Sequence, residues 1–334
     1  MAENTTERKT LLEVKDLHTF FTTRRGIVKA VNNTSYSVRE GETLGIVGES
    51  GSGKSTLAMG ILRLLPDNIT EISGEAFLNG KDLLSLSEKE LREVRWKEVS
   101  VVFQKAMNAL SPVHRIGAQM EDIYRVHYPN EDKAIVKNRI MELLHLVNLA
   151  DRVYHSYPHE LSGGMMQRVS IALALIFEPK LLIMDEATTA LDVVTQTQIL
   201  NEIIALEESV NVARIMITHD MSVVSSTCKK VVVMYAGRVM EQGLVKDVLV
   251  NPQHPYTQGL MRSFPSFTGE KTNLRGIEGN LPDMSIMPTG CVFADRCPYA
   301  EERCRRDLPP MTALSGDWQV ACFRAGKEGG EARE

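Results

Sequence analysis

The sequence predicts an α/β protein. A mostly parallel sheet carries a phosphate-binding loop, with an antiparallel β layer beside it, a helical subdomain inserted between strands, and a small cysteine-rich C-terminal extension. Three observations predict it. Short apolar runs at 43–47, 99–103, 181–184 and 214–218 each end on a glycine or polar residue, as buried parallel strands do. From about residue 105 to 170 the apolar pattern shifts to helical spacing. Four of the five cysteines stand in the last quarter of the chain.

The bulk numbers set limits. A chain of 334 residues allows one large domain and a smaller one, and 43% hydrophobic residues supply an ordinary core. A formal charge of −5 leaves no basic footprint for nucleic acid. The polar first ten residues lack the apolar run of a signal peptide. The longest apolar stretch, 169–177, is too short to span a bilayer. The expectation is a cytoplasmic protein whose membrane role, if any, comes through a partner.

In chain order, residues 11–47 alternate short apolar runs with Gly26 and Gly41, which reads as the antiparallel layer and then the first buried strand. Next comes Gly48-Glu49-Ser50-Gly51-Ser52-Gly53-Lys54-Ser55-Thr56, which fits the phosphate-loop pattern Gly-x-x-x-x-Gly-Lys-[Ser/Thr]. Glycines let successive backbone N–H groups turn inward around a polyphosphate, and the following helix adds its positive end. Leu57, Ile61, Leu64 and Leu65 predict that helix, running to Pro66. Lys54 is placed to reach the β- and γ-phosphates, and the Ser55 hydroxyl to sit on Mg²⁺. Residues 73–83 form a hairpin through Asn79-Gly80. The run at 99–103 leads to Gln104.

In the helical stretch, Ile140, Leu143, Leu144 and Val147 make one amphipathic face. A further helix starts at Ser162-Gly163-Gly164, with Met165, Val169, Ala172, Leu173 and Ile176 on one side. A strand at 181–184 ends in Asp185-Glu186, a helix covers 196–207, and a strand at 214–218 ends in His219. Strands at 231–235 and 238–241 pair around Ala236-Gly237.

The phosphate loop, Gln104, Asp185-Glu186 and His219 each follow directly on an apolar run. In a mostly parallel sheet the carboxyl ends of the strands share one edge, and ligands bind there. Phosphoryl transfer to water needs charge neutralisation, an oriented water and a contact to the γ-phosphate. Asp185 suits support of Mg²⁺, and Glu186 suits polarising the attacking water. His219 suits a hydrogen bond to the γ-phosphate, and Gln104 suits Mg²⁺ or the water. Asp192 lies just beyond on a tight connection. Ser162, Gly163 and Gly164 offer a hydroxyl, glycine N–H groups and a helix start, a second phosphate-cradling surface.

Leu-Ser-Gly-Gly before a helix at 161–164, with the phosphate loop, Gln104, Asp185-Glu186, Ala190-Leu191-Asp192 and His219 in this order, resembles the ATP-binding-cassette ATPases over roughly residues 11–252. The resemblance implies a head-to-tail dimer in which Ser162, Gly163 and Gly164 meet the γ-phosphate held by a partner. It also implies a nucleotide-binding domain at 11–255, with its helical subdomain at about 105–170. The runs Asn251-Pro252-Gln253-His254-Pro255-Tyr256 and Pro288-Thr289-Gly290-Cys291-Val292-Phe293-Ala294-Asp295-Arg296-Cys297-Pro298 look like the C-terminal region of oligopeptide and dipeptide permease ATP-binding subunits. Pro158-His159-Glu160 and Leu110-Ser111-Pro112-Val113 agree with that subfamily. It implies a motor subunit on the cytoplasmic face of the membrane. Its partners would be a second cassette, a paralogue, two transmembrane permease subunits and, indirectly, an extracytoplasmic solute-binding protein. Peptides, nickel and oligosaccharides are the cargoes among such relatives. The rival class is a soluble cassette ATPase acting on nucleic acid, the ribosome or iron–sulfur assembly, and the acidic balance speaks against a nucleic-acid partner.

Cys291, Cys297, Cys304 and Cys322 are separated by five, six and seventeen residues. Four thiolates can hold zinc or a 4Fe–4S cluster. No Cys-x-x-Cys knuckle is present, the wider loops suit a larger group, and the subfamily resemblance implies 4Fe–4S; zinc and merely reduced thiols are the alternatives. The extension is expected over 256–326, stapled by this site, with a disordered tail at 327–334. Cys228 reads as an ordinary packed thiol. Cassettes commonly stack adenine on an aromatic residue ahead of the phosphate loop; Phe20, Phe21 and Arg25 are the candidates here, and none aligns cleanly. Lys105, where the subfamily often has an acidic or amide residue, falls near the expected permease contact.

Overall fold

A computed structural model describes residues 9–103, 110–187, 193–263 and 276–326. The readings at Gln104, Lys105, 189–191, Asp192, the first eight residues and the 327–334 tail therefore lie outside the described residues.

The chain opens with two long strands, β1 (Thr10–Thr23) and β2 (Gly26–Arg39), followed by β3 (Thr43–Val47) and α1 (Lys54–Ile61). Then come β4 (Thr70–Leu78), β5 (Lys81–Asp82), α2 (Glu88–Val94) and β6 (Val99–Val102). Helices α3 (Ile116–His127), α4 (Lys133–Leu146) and α5 (Gly163–Ala174) lead to β7 (Leu181–Asp185), α6 (Val193–Val210) and β8 (Ala213–Thr218). After α7 (Met221–Thr227) run β9 (Lys230–Tyr235), β10 (Arg238–Leu244), α8 (Val245–Val250) and α9 (Pro255–Arg262). The extension adds α10 (Glu302–Arg306), β11 (Thr312–Ser315) and β12 (Trp318–Val320).

The chain divides into two compact units. Unit 1 takes 38–42 and 85–216 with the start of the chain. Its strands β6 and β7 are parallel, from Val99 opposite Leu181 to Val102 opposite Met184. Every residue of β7 is buried, as a two-sided strand requires. The helical part of this unit buries the expected face of α4, with Ile140, Leu143, Leu144 and Val147 all in the core. Asp132 caps α4 by accepting from the Ala134 amide at 2.7 Å. Ser87 and Glu90 form a reciprocal capping box on α2.

Unit 2 takes 12–37, 43–84 and the chain from 217 on. Strands β1 and β4 pair antiparallel in a sheet ordered β2-β1-β4-β5. Asn79 (φ 50°) and Gly80 (φ 83°) make the expected turn of its hairpin. In the other sheet of this unit, β3 lies parallel to β9, and β9 and β10 form a hairpin through Ala236-Gly237. The extension joins this sheet: β12 pairs with β10, placing Val320 opposite Glu241, and β11 pairs with β12. Nothing in the local pattern of residues 312–320 announced those strands. The unit's core gathers Val231, Val233, Tyr235, Tyr256 and Phe293, with Cys228 packed against it as an ordinary thiol. Ring centroids of Tyr235, Tyr256 and Phe293 lie 4.7, 5.2 and 5.3 Å apart, each such aromatic pair worth about 0.5–1.5 kcal/mol beyond its burial.

Several boundaries differ from the expectation. Helix α1 stops at Ile61 rather than at Pro66, because Arg63 takes a left-handed conformation (φ 50°). Leu64 is consequently exposed. Strand β4 begins at Thr70, and β10 continues to Leu244. Helix α5 is covered on more than one side: Met166, Gln167 and Ser170 are buried with Val169 and Ala172, whereas Met165 and Leu173 are only half-buried. Ile176 is buried beyond the helix end.

Candidate nucleotide and cysteine sites

Strand β3 is buried at all five residues and delivers the chain into the phosphate loop. The loop turns at Gly48 (φ 152°), where a Cβ would stand 2.1 Å from the Met234 carbonyl oxygen. It turns again at Gly53 (φ 99°), where a Cβ would stand 2.2 Å from the Ala30 carbonyl oxygen. Only glycine fits either position. Ser52 is fully buried; its amide donates to Glu49 O at 3.1 Å and its carbonyl accepts from the Gly237 amide at 2.9 Å. Lys54 begins α1 and is buried, with Nζ donating to Gly48 O (2.8 Å), Glu49 O (2.9 Å) and Ser52 Oγ (3.4 Å). The ammonium thus rests on the carbonyls of its own loop, a position from which it can move onto phosphate oxygens. Ser50, Gly51, Ser55 and Thr56 complete the loop and the first turn of the helix.

His219 follows β8 and is exposed. With Gly48, Glu49, Met221, Leu260, Ser263 and Ile277 it lines a cleft of about 230 Å³. Gly48 and Glu49 of the phosphate loop and His219 therefore face one space. In unit 1, Asp185 is the buried last residue of β7, and Glu186 follows with φ 47°. A bulky residue held in the left-handed region is uncommon and clusters at functional sites. Ser162 caps α5 by accepting from the Met165 amide at 3.3 Å, and its side chain is exposed. Gly164 packs against Thr195, where a Cβ would come within 2.7 Å. Behind it Arg168 forks onto Glu202 with two 2.9 Å bonds, which holds the first turns of α5 against α6.

Of the adenine candidates, the Phe20 ring takes the Lys29 ammonium at 5.8 Å and the His18 ring edge-on at 5.5 Å; Phe21 is half-buried, and Arg25 is exposed beside Gly26.

Sequence reasoning missed the residues that bind the extension to the phosphate loop. The Glu49 amide donates to Tyr256 Oη, and the Glu49 carboxylate accepts two bonds from Arg296, at 2.8 and 3.1 Å. Glu241 is fully buried and accepts from the amides of Gln253 and His254 and from Trp318 Nε1, each at 2.9 Å. Burial pushes its pKa up, against those bonds. Long sequence separation hides such pairs; only the runs around Tyr256 and Arg296 marked the regions.

Cys291, Cys297, Cys304 and Cys322 line one apolar pocket with Phe293, Tyr299 and Phe323, around a void of about 20 Å³. Burial pushes the thiols of Cys291 and Cys297 up to about 11, and raises that of Cys322. Nearby backbone amides offset part of that rise: those of Phe293 and Ala294 for Cys291, of Tyr299 for Cys297, and of Arg324 for Cys322. Such donors stabilise thiolate and tune thiolate-bound metal groups. Four cysteines lining one pocket are the right donor type for a thiolate-bound metal group, but among the described residues no three His, Cys, Asp or Glu side chains are arranged to hold a metal ion. The void holds about one water-sized sphere, so a larger group would require the sulfurs to part.

Solved structures define the class. The dimeric structure of MJ0796, a bacterial ABC transporter cassette, matches with a TM-score of 0.63 at 27% identity, covering 70% of this chain and 98% of that one. A post-hydrolysis dimer of the same cassette bound to ADP and Pi matches equally well. The protein has the fold of an ABC cassette. An ABC transporter family matches residues 31–189, and the C-terminal region of oligopeptide/dipeptide transporters matches 240–304. The oligopeptide transport ATP-binding protein OppD of Salmonella typhimurium is 45% identical over 320 residues, 95% of each chain. The dipeptide transport ATP-binding protein DppD of Haemophilus influenzae is 42% identical over 327 residues, 97% of this chain and 98% of that one. The chain belongs to the family of ABC transporter ATP-binding proteins of oligopeptide and dipeptide transport.

Proposed function

We propose that this chain is the ATP-hydrolysing motor subunit of an importer for oligopeptides or dipeptides. The observation that carries the reading is the buried Lys54 in a loop turned by two irreplaceable glycines, in a chain related to peptide-transport ATPases over nearly its whole length.

The loop amides and Lys54 bind the triphosphate. Ser55, Gln104 and Asp185 are the groups to hold Mg²⁺, which supplies charge neutralisation at the phosphates. Glu186 orients and polarises the attacking water, and His219 donates to the γ-phosphate from the cleft it shares with Gly48. Ser162, Gly163 and Gly164 cap a nucleotide held by a second cassette, and Asp192 is a further candidate for nucleotide contact. A paralogous cassette, two permease subunits and an extracytoplasmic binding protein complete the assembly. No helix among the described residues is long and apolar enough to cross a membrane; the permease is the proposed anchor at the cytoplasmic face.

Cys291, Cys297, Cys304 and Cys322 are the residues that would hold a 4Fe–4S cluster, with zinc as the alternative. Such a group would cross-link an extension whose own core is small.

The test is co-expression with the permease and fractionation, followed by uptake of labelled peptide. The chain should sediment with membranes only when the permease is present, and peptide should be taken up. Uptake of nickel or oligosaccharide alone would change the cargo; a chain that stays soluble beside its permease would overturn the assignment.

A further inference from the structure

Arg296 uses all five of its N–H donors. Two go to the Glu49 carboxylate, one to Tyr235 Oη at 3.1 Å, one to Ile277 O at 2.9 Å, and Nε to Glu278 O at 2.8 Å. The guanidinium lies 5.5 Å from the Tyr235 ring centre, and its side chain is 8% exposed. A planar fork satisfied on every side has one position. Its principal target, Glu49, is part of the phosphate loop, and the Glu49 carbonyl is one of the oxygens on which Lys54 Nζ rests. Arg296 also stands between two of the four cysteines. The Ala294 amide donates to Cys291 O, the Arg296 amide to Phe293 O, and the Cys297 amide to Ala294 O. The turn that aims Arg296 is thus closed by Cys291 at one end and Cys297 at the other. A carboxylate in a loop that must accept a triphosphate is electrostatically adverse, and the forked cation cancels it.

We propose that Arg296 is a positioning residue for the nucleotide site: it neutralises and holds Glu49, and so makes the four-cysteine extension a determinant of ATP affinity.

The experiment is titration of the full chain with a fluorescent ATP analogue, alongside thermal unfolding. Arg296→Met should weaken binding about tenfold, equivalent to about 1.4 kcal/mol. Adding Glu49→Gln to that variant should restore affinity to within about threefold of the parent, because the uncompensated charge is gone. A purely structural staple would lower the unfolding midpoint in both variants without this recovery. If Arg296→Met does not fold, Arg296→Lys keeps the charge without the fork and should bind within about threefold of the parent. Cys297→Ser should weaken ATP binding in the parent and add nothing in Arg296→Met. Unchanged affinity in Arg296→Met, a double variant as weak as the single one, a Lys variant as weak as a charge-removing one, or additive effects of Cys297→Ser would overturn the proposal.

Discussion

The amide of Glu49 donates to the hydroxyl of Tyr256 at 2.9 Å, across 207 residues of sequence. The second residue of the phosphate loop is thereby hung from the helix that opens the C-terminal extension. Tyr256 is itself fully buried between Tyr235 and Phe293, and that burial raises its pKa, so the phenol stays protonated and its oxygen stays an acceptor.

Tyr256→Phe removes that acceptor and nothing else of size. Leaving a part-buried amide without a partner costs about 1–2 kcal/mol. We expect a lower urea midpoint and a several-fold weaker ATP affinity; an unchanged midpoint would show that the loop does not depend on the phenol.

Glu186→Gln preserves shape and removes the charge that polarises water. Turnover should fall by about 10²–10⁴-fold while nucleotide binding persists, the signature of a lost general base. Size-exclusion chromatography with ATP and Mg²⁺ should then show a locked cassette pair. Hydrolysis near the parent rate would remove Glu186 from that role.

His254 is fully buried, and burial lowers its pKa to about 3 from an ordinary 6.5. Its Nδ1 accepts the Tyr256 amide at 3.0 Å, capping α9 in the neutral form. The unfolded chain binds a proton here below about pH 6.5 and the folded chain does not, so stability falls with pH between about 6.5 and 3. His254→Asn keeps a capping acceptor and does not titrate. Its unfolding free energy, measured in urea at each pH, should depend less steeply on pH over that window. Equal slopes would contradict the assignment.

The raised thiols make a separate prediction. With Cys291 and Cys297 near 11 instead of 9.0, the folded metal-free chain should resist alkylation at pH 9 relative to the urea-unfolded chain. The difference should close as pH passes about 11. The proposed 4Fe–4S cluster predicts that in anaerobically purified protein the same thiols are protected throughout, with about four irons per chain. Stoichiometric zinc without iron would decide for the alternative.

Much of this arrangement was legible because its signals are local. The loop from Gly48 to Thr56, the strand ends at Asp185 and Thr218, and the cap at Ser162 each announce themselves within ten residues. The position of Leu64 was misjudged because helical spacing continues past the left-handed Arg63. The contacts from Arg296 and Tyr256 to Glu49 were illegible, since each joins residues more than 200 apart. Glu49 belongs to the loop by its motif, but its amide is taken by Tyr256, its carbonyl by Lys54 and the Ser52 amide, and its carboxylate by Arg296.

The most direct test is ATP hydrolysis by the transporter reconstituted in liposomes with this chain, its partner cassette and the permease, with and without peptide-loaded binding protein. The account predicts a rate that rises with loaded binding protein and disappears with Gly48→Ala, whose Cβ has no room beside the Met234 carbonyl. A rate indifferent to peptide, or undiminished by Gly48→Ala, would contradict it.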